Sequence, residues 1–592
     1  MKYTKTPAPA FMDDLIIYEI ATKGFTSPNG PQSGTFSSLK EKIPYLEELG
    51  VNGIWLSGNQ LCDCKHFYNV WTQYAVIRPD EFDPSLGTDA EFKDLIDVAH
   101  SHGIRVFLDV ITHGLMDGSP IIKEHPEWFS GGSWGMVDFD WYGGHDDLDQ
   151  WWVDTWVDYV LKFGIDGYRL DVTTYRNDLW ALVRKKAKEA GREIMIITEH
   201  SVSTDGSVDA IQSNCPLGTN FGLVQTHPLL TDVAGYCNDR SKWLYDNVFL
   251  VEIEYSDGTV HTSRATGATG HNENGVRCLN VVRLEDQTEH MDCDKYGVGY
   301  VEHRTVLRIE NVDAEREINE IRVFDLDSRW YEPYGHEWNT SLPDDNRLIY
   351  SRDKSTVIAR FPQINQRGQY MTTQLSCHDC GWDGFTLGEN PYIAQGSRYV
   401  MGYASMLTPT LPIMMSGEEF DASYRPLPEH SPKLFGGEGF GEGRWLYASW
   451  LDWDELGKAG HAEMLADTKK ILAIRREYAH LIKPMRFGLE SETPVIRVPY
   501  RSEKALPLPY AYVGKDEVVI IAANPNTEES VELTFDLTGL LGKGQYQVES
   551  MFGDADEKRA TVTTFSEMEW IIAPDKTSNG GLLVLAFKRT GN

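Results

Sequence analysis

The chain lacks any hydrophobic run of about 18 residues, the length a membrane-crossing helix needs, so no transmembrane segment is expected. Its first stretch, MKYTKTPAPAFMDDL, has no apolar core ahead of a cleavage site, and the expected location is therefore the cytoplasm. Cysteine is scarce, eight among 592 residues, which argues against a disulfide framework. Basic residues are outnumbered, 55 Lys and Arg against 89 Asp and Glu, for a net charge of −34. Nucleic acid and anionic membranes both need a basic surface, so neither is an expected partner. Internal repeats and low-complexity tracts are also missing. Aromatic residues, in contrast, are plentiful: 17 Trp, 28 Tyr and 23 Phe. Rings stack on sugars, although so many also serve a core. A neutral substrate fits this composition best.

Two close cysteine pairs, Cys62/Cys64 in LCDCKH and Cys377/Cys380 in SCHDCGW, have the ligand type for zinc. The one-residue spacing of the first is atypical, and His378 and Asp379 have another expected role, so no metal is predicted.

Between about residues 15 and 420, short β-branched runs alternate with helical stretches, the pattern of a parallel sheet covered by helices. Eight runs read as strands: LIIYEIA, GVNGIWLS, IRVFLDVI, GIDGYRLDV, EIMIITEH, VDAIQSN, QYMTTQLS and LPIMMSG. Between them, GTDAEFKDLIDVAHSHG offers a capping box in Thr88 and Glu91, one apolar face in Phe92, Leu95, Ile96 and Ala99, and a closing Gly103. Eight strands predict an α/β fold, a (β/α)8 TIM barrel, whose chemistry sits at the carboxyl ends of the strands. Residues 232–352, between strands six and seven, read instead as β, with a hairpin turn at Asp257-Gly258. Such a length predicts an inserted β-rich domain. From residue 486 to 592 the pattern is β again and predicts a C-terminal β-sandwich, leaving residues 1–485 as the barrel, interrupted by the insertion.

One strand carries an oddity. In GYRLDVTTY, Arg169 and Asp171 stand two apart in an otherwise apolar run, so both side chains face the same way. A structural ion pair is the bland explanation. The other strand ends add Asp109 and His113, Glu199, and His378 with Asp379. Carboxylates gathered at one barrel mouth repel one another, and paired carboxylates are the apparatus of glycoside hydrolysis: one ionised to attack, one protonated to release the leaving group. A cation at Arg169 keeps Asp171 ionised and oriented.

LDVITH, GYRLDVTTY, IITEH and LSCHD resemble, in order and spacing, the four short conserved regions of the α-amylase family, glycoside hydrolase family 13. VWTQYAVIRPDEFDPSLGT resembles the family's segment after strand two, and LPIMMSGEEF its last strand. The resemblance implies that Asp171 is the nucleophile, Glu199 the general acid and base, and Asp379 the transition-state stabiliser. Arg169 orients the nucleophile, His113 and His378 bind the sugar, Tyr74 lies beneath it, and Asp109 belongs to the same substrate-binding set. It also implies retention of the α configuration, hence a carboxylate pair about 5–5.5 Å apart. The expected substrates are α-linked glucosides, oligosaccharides or α-glucans, cleaved or transferred through a covalent intermediate. A catalytically inactive sugar-binding or scaffold protein on the same fold is the alternative.

The family's usual calcium is not expected. Thr112 stands where an asparagine ligand is usual, Tyr175 follows Thr174 where a lysine-histidine pair is common, and the segment between strands three and four, domain B, is short, about 112–148. No other cofactor is implied.

Overall fold

The structure, a computed structural model, describes residues 8–62 without 31, and 74–212 without 133–135, 172–175 and 200–207. It further describes 248–266, 276–281, 304–309, 313–325 without 314, 336–338, 348–350, 357–361, 370–378, 397–426 without 423, 449–484, and segments of 495–591. The chain divides into two compact units, one of residues 1–216, 372–388 and 411–477, the other of 217–371, 389–410 and 478–592.

The first unit is built around a closed parallel barrel of eight strands in chain order. These are β1 (Ile17–Ala21), β2 (Gly53–Ser57), β3 (Arg105–Ile111), β4 (Gly167–Asp171), β5 (Met195–Thr198), β6 (Ala210–Ile211), β7 (Tyr370–Gln374) and β8 (Leu411–Met415). Every predicted strand is present. β8 closes on β1 with Ile413 opposite Ile17. The register between β3 and β4 sets Asp109 beside Arg169 and Ile111 beside Asp171. Gly167 opens β4 because nothing larger fits: a Cβ there would lie 2.0 Å from the carbonyl oxygen of Met195, at a φ of +148°.

Helix α1 (Asp89–Ser101) begins at the predicted capping box, Thr88 accepting from the Glu91 amide while the Glu91 carboxylate accepts from Thr88 N. Its Phe92, Leu95 and Ile96 are fully buried, each worth roughly 1.5–3 kcal/mol over exposure. Helix α2 (Asp146–Phe163) carries Asp146, Asp147 and Asp149 in its first turn, where the helix dipole favours negative charge. Helix α3 (Asn177–Glu189) follows β4, and α4 (His461–Glu477) follows the last barrel strand. After β3 the chain forms a small excursion, where Gly114–Met116 pairs antiparallel with Met136–Asp138. This excursion falls within the range 112–148 that the sequence reading assigns to domain B.

The second unit holds two four-stranded antiparallel sheets between β6 and β7 in the chain. One runs Val260–Thr266, Val248–Tyr255, Ile318–Asp325, His336–Trp338; the other Val276–Val281, Arg304–Ile309, Val357–Phe361, Leu348–Tyr350. The Asp257-Gly258 turn is as predicted. Gly258 sits at φ +81°, and Asp257 Oδ1 accepts from Thr259 N at 2.9 Å. Toward the C-terminus, a six-stranded and a three-stranded sheet share one apolar core that includes Ala511, Ile520, Leu533, Phe535, Leu585 and Phe587. Among the described residues no helix is long and apolar enough to cross a membrane.

Candidate active site

Arg169 is the hub of the barrel mouth. It projects from the middle of β4 into the barrel, and its side chain is almost wholly buried. Its Nη1 donates to Asp171 Oδ1 at 2.5 Å and to Asp109 Oδ1 at 3.0 Å, and its Nη2 lies 3.0 Å from Glu199 Oε2. Burial alone opposes the charge of this guanidinium, but Asp109, Glu199 and Asp171 together raise its pKa well above the usual value. The ion pair expected between Arg169 and Asp171 is present, and Glu199 shares the same cation. Asp171 ends β4 and Glu199 follows β5 directly, so one cation draws two carboxylates of adjacent strand ends to a common point.

Asp109 is occupied from every side. Its Oδ2 accepts from Trp55 Nε1 at 3.1 Å and from Tyr74 OH at 2.8 Å, its Oδ1 from Arg169, and its backbone carbonyl from Gln60 Nε2 at 2.9 Å. It therefore fixes Arg169 and Tyr74. The Tyr74 ring stacks on His378 with centroids 4.7 Å apart, and Trp55 meets the same imidazole edge-on at 5.8 Å. His113 is buried just after β3, its Nδ1 3.4 Å from Asp138 Oδ1 in domain B. The structure thus brings Tyr74, Asp109, Arg169, Asp171, Glu199 and His378 together. His113 meets Asp138 of the excursion that follows β3. Asp379 lies outside the described residues.

Four residues of this site were not singled out in the sequence: Trp55, Glu19, Gln212 and Gln374. All are buried. Arg169 Nε donates to Gln212 Oε1 at 2.8 Å, Gln212 Nε2 to Gln374 Oε1 at 2.9 Å, and Gln374 Nε2 to Glu19 Oε2 at 2.5 Å. Glu19 Oε1 pairs with His378 Nδ1 at 2.6 Å and accepts from its backbone amide at 3.2 Å. Burial pushes the Glu19 carboxyl above the usual carboxylate range, with His378 and Arg169 pulling against that shift. The signal for Glu19 was present in LIIYEIA, one charge in an apolar strand, the same oddity that exposed Arg169.

Among the described residues, Thr112, at the position of the family's usual calcium ligand, is engaged within the protein. A calcium ion needs six to eight oxygens. Here Thr112 spends its hydroxyl donating to the Asp171 carbonyl at 2.9 Å, and its own carbonyl accepts from Trp141 Nε1 at 2.9 Å. The acceptors around them are met by Arg176, which precedes α3 at a left-handed φ of +49°. Its Nη1 donates to the Trp141 carbonyl at 3.0 Å, Nη1 and Nη2 reach the Asp149 carboxylate at 2.6 and 2.5 Å, and Nη2 donates to Asp178 at 2.8 Å. A guanidinium joins domain B to α2 and α3 in the manner of a bound cation. Thr174 and Tyr175 lie outside the described residues. Of the two cysteine pairs, Cys62 and Cys377 are buried, with Cys62 Sγ 3.5 Å from Asp83 Oδ2, while Cys64 and Cys380 fall outside.

The catalytic domain of the α-amylase family matches residues 19–126, from Glu19 on β1 into the segment that follows β3. That part of the chain is similar to the α-amylase catalytic domain. Among curated proteins, the chain is 25% identical over 214 residues to the α-amylase MalA of Haloarcula japonica, covering 32% of this chain and 30% of that one. It is 24% identical over 297 residues to a maltogenic α-amylase of Bacillus acidopullulyticus, covering 42% and 48%, and 24% identical over 188 residues to the intracellular maltogenic amylase of Bacillus subtilis, covering 28% and 31%. The alignments therefore span less than half the length of each of these relatives. In fold, the maltogenic α-amylase AmyB of Thermotoga neapolitana matches with a TM-score of 0.55 at 15% identity, over 98% of this chain and 99% of that one. The acarbose-complexed α-amylase of Geobacillus thermoleovorans matches at 0.52, with 15% identity and the same coverage.

Proposed function

We propose that this protein is a retaining enzyme acting on α-glucosidic bonds of oligosaccharides or α-glucans through a covalent glycosyl-enzyme intermediate. The observation that carries this reading is a buried cation, Arg169, held between Asp171 and Glu199 at the ends of adjacent barrel strands. Asp171, kept ionised by Arg169, attacks the anomeric carbon and forms the C1–O ester as the glycosidic bond breaks. Glu199 delivers its proton to the departing oxygen. In the second half, Glu199 removes a proton from water or from a sugar hydroxyl, which attacks C1 and releases Asp171. Water gives hydrolysis and a sugar gives transglycosylation. Asp379 is assigned to holding the sugar's hydroxyls as positive charge develops on the ring, with His113, His378 and Tyr74 lining the same subsite around the Asp109–Arg169 pair.

The match of residues 19–126 to the α-amylase catalytic domain supports this chemistry, and so do the named activities of similar proteins, which include maltogenic amylases and a trehalose synthase. A cytoplasmic location is inferred from the resemblance to the intracellular enzyme of Bacillus subtilis. The division into a barrel of 1–485 with domain B at about 112–148, an insertion of 232–352 and a C-terminal domain of 486–592 belongs to the same proposal. The insertion leaves the chain after the carboxyl end of β6, the end where barrel loops carry function, so its proposed role is substrate selection.

The test is incubation with a panel of α-linked di- and oligosaccharides and a nitrophenyl α-glucoside, with every product identified. The reading expects release of sugar, lost in Asp171→Ala. Binding without turnover across the whole panel would instead mark an inactive sugar-binding protein.

A further inference from the structure

The polar chain that leaves Arg169 has a direction, and the direction has a consequence for His378. An arginine side chain only donates. Gln212 must therefore turn its carbonyl oxygen to Arg169 Nε, which leaves its amide nitrogen facing Gln374. Gln374 repeats the step, oxygen toward Gln212 and nitrogen toward β1. Position 19 is thereby required to accept. It also faces two more donors, the backbone N–H and the ring of His378. A carboxylate satisfies all three because it accepts at both oxygens and donates at neither. Glutamine would turn its NH2 group on one of those donors.

We propose that Glu19 is a positioning residue that fixes the ring and tautomer of His378, and that Arg169 dictates this through Gln212 and Gln374. The inference rests on the α-glucosidase reading for its kinetic consequence but not for its geometry. Which nitrogen of an imidazole carries the proton is set by the hydrogen bond the other makes. With Glu19 Oε1 2.6 Å from Nδ1, the proton sits on Nδ1, and in a neutral ring Nε2 is the acceptor. The ring plane is then held from its other sides by Tyr74 and Trp55. Those two donate to Asp109, which accepts from Arg169, so the contacts form a closed circuit around the barrel mouth. The same guanidinium that orients Asp171 thus orients a sugar-binding histidine, through amides on β6 and β7 and a carboxylate on β1. The two glutamines cost little as buried groups, since each makes a hydrogen bond at both ends.

The deciding experiment is 15N NMR of the histidine-labelled full-length protein, with His378 assigned by the resonance lost in His378→Asn. The wild type is expected to carry the proton on Nδ1, and Glu19→Gln to lose that preference. For a nitrophenyl α-glucoside, kcat/KM should fall about 10- to 100-fold in Glu19→Gln, by analogy with the loss seen when the partner that orients a metal-bound histidine is removed. Gln374→Met interrupts the chain but keeps the Glu19–His378 bond, so its loss should stay below about tenfold. An Nε2-protonated His378 in the wild type would overturn the inference, and that spectrum stands even if Glu19→Gln fails to fold. So would a Glu19→Gln protein with wild-type tautomer and wild-type kcat/KM. Since the spectrum needs no turnover, a protein without glucosidase activity would sink the functional reading and leave this one standing.

Discussion

At the barrel mouth Glu19, Asp109, Arg169, Glu199, Gln212, Gln374 and His378 are buried and polar, whereas the core between the C-terminal sheets is made of residues such as Ala511, Ile520, Leu533, Phe535, Leu585 and Phe587. The second region needs only volume and shape, and any side chain that fills it will hold the two sheets together. The first gains stability poorly, because each buried charge is desolvated before it is paired. Its residues are specified one atom at a time: the carboxylates of Asp109 and Glu19 each take three donors. That contrast separates where this chain stores stability from where it places chemistry, and substitutions should separate the two.

The largest expected effect is on activity alone. Asp171→Ala should lower turnover by at least about 10⁴-fold, since no other group can form the ester, and Glu199→Gln by roughly 10²- to 10⁴-fold. Melting temperatures should change little in either, because both side chains lie at strand ends. The converse substitution is Phe535→Ala in the C-terminal core, expected to cost about 3–5 kcal/mol in denaturant unfolding. Refolded at low temperature, that variant should keep the wild-type kcat. Loss of kcat in the folded variant would break the comparison.

Arg176 tests the boundary between the two regions, being a polar clamp with a structural task. Arg176→Ala leaves Asp149 and Asp178 facing each other without their cation and should destabilise by roughly 1–3 kcal/mol. The wild type should melt at the same temperature with EDTA and with added calcium. A calcium-dependent rise of several degrees in the wild type would show that other oxygens hold the ion.

The smallest effect concerns pH. Glu418 is fully buried, accepts from Ser376 Oγ and Met415 N, and has its pKa raised well above 4.5 by burial, with Glu19 and Glu419 adding to the shift. The folded state therefore holds a proton that the unfolded state has released, and stability falls as pH rises above about 4.5. Glu418→Gln removes that group, so its melting temperature should decline less than the wild type's between pH 5 and 8. One group contributes at most about 1.4 kcal/mol per pH unit. Parallel declines would show that the proton is not held there.

The barrel was legible because its strands are nearly continuous apolar runs, and a charge within such a run, as in GYRLDV, is conspicuous. The same rule pointed at Glu19 and was not applied to it. Gln212 and Gln374 left no comparable mark. An uncharged amide in a strand looks like a satisfied polar residue, and only the register around the barrel shows that it passes a hydrogen bond onward. Arg176 was hidden for another reason. Its role depends on a left-handed backbone that sequence favours for glycine or asparagine. In the insertion, the Asp257-Gly258 hairpin could be read from its turn residues, while the order of strands in the two sheets depends on pairings distant in sequence.

The central claim is that Asp171 and Glu199 act as a retaining pair on an α-glucosidic bond. The most direct measurement is proton NMR of the wild-type reaction on an α-linked oligosaccharide, recorded before the released sugar mutarotates. The account predicts that the new reducing end appears first as the α anomer. First appearance of the β anomer would contradict it, as it would require water to attack C1 directly across from the leaving group.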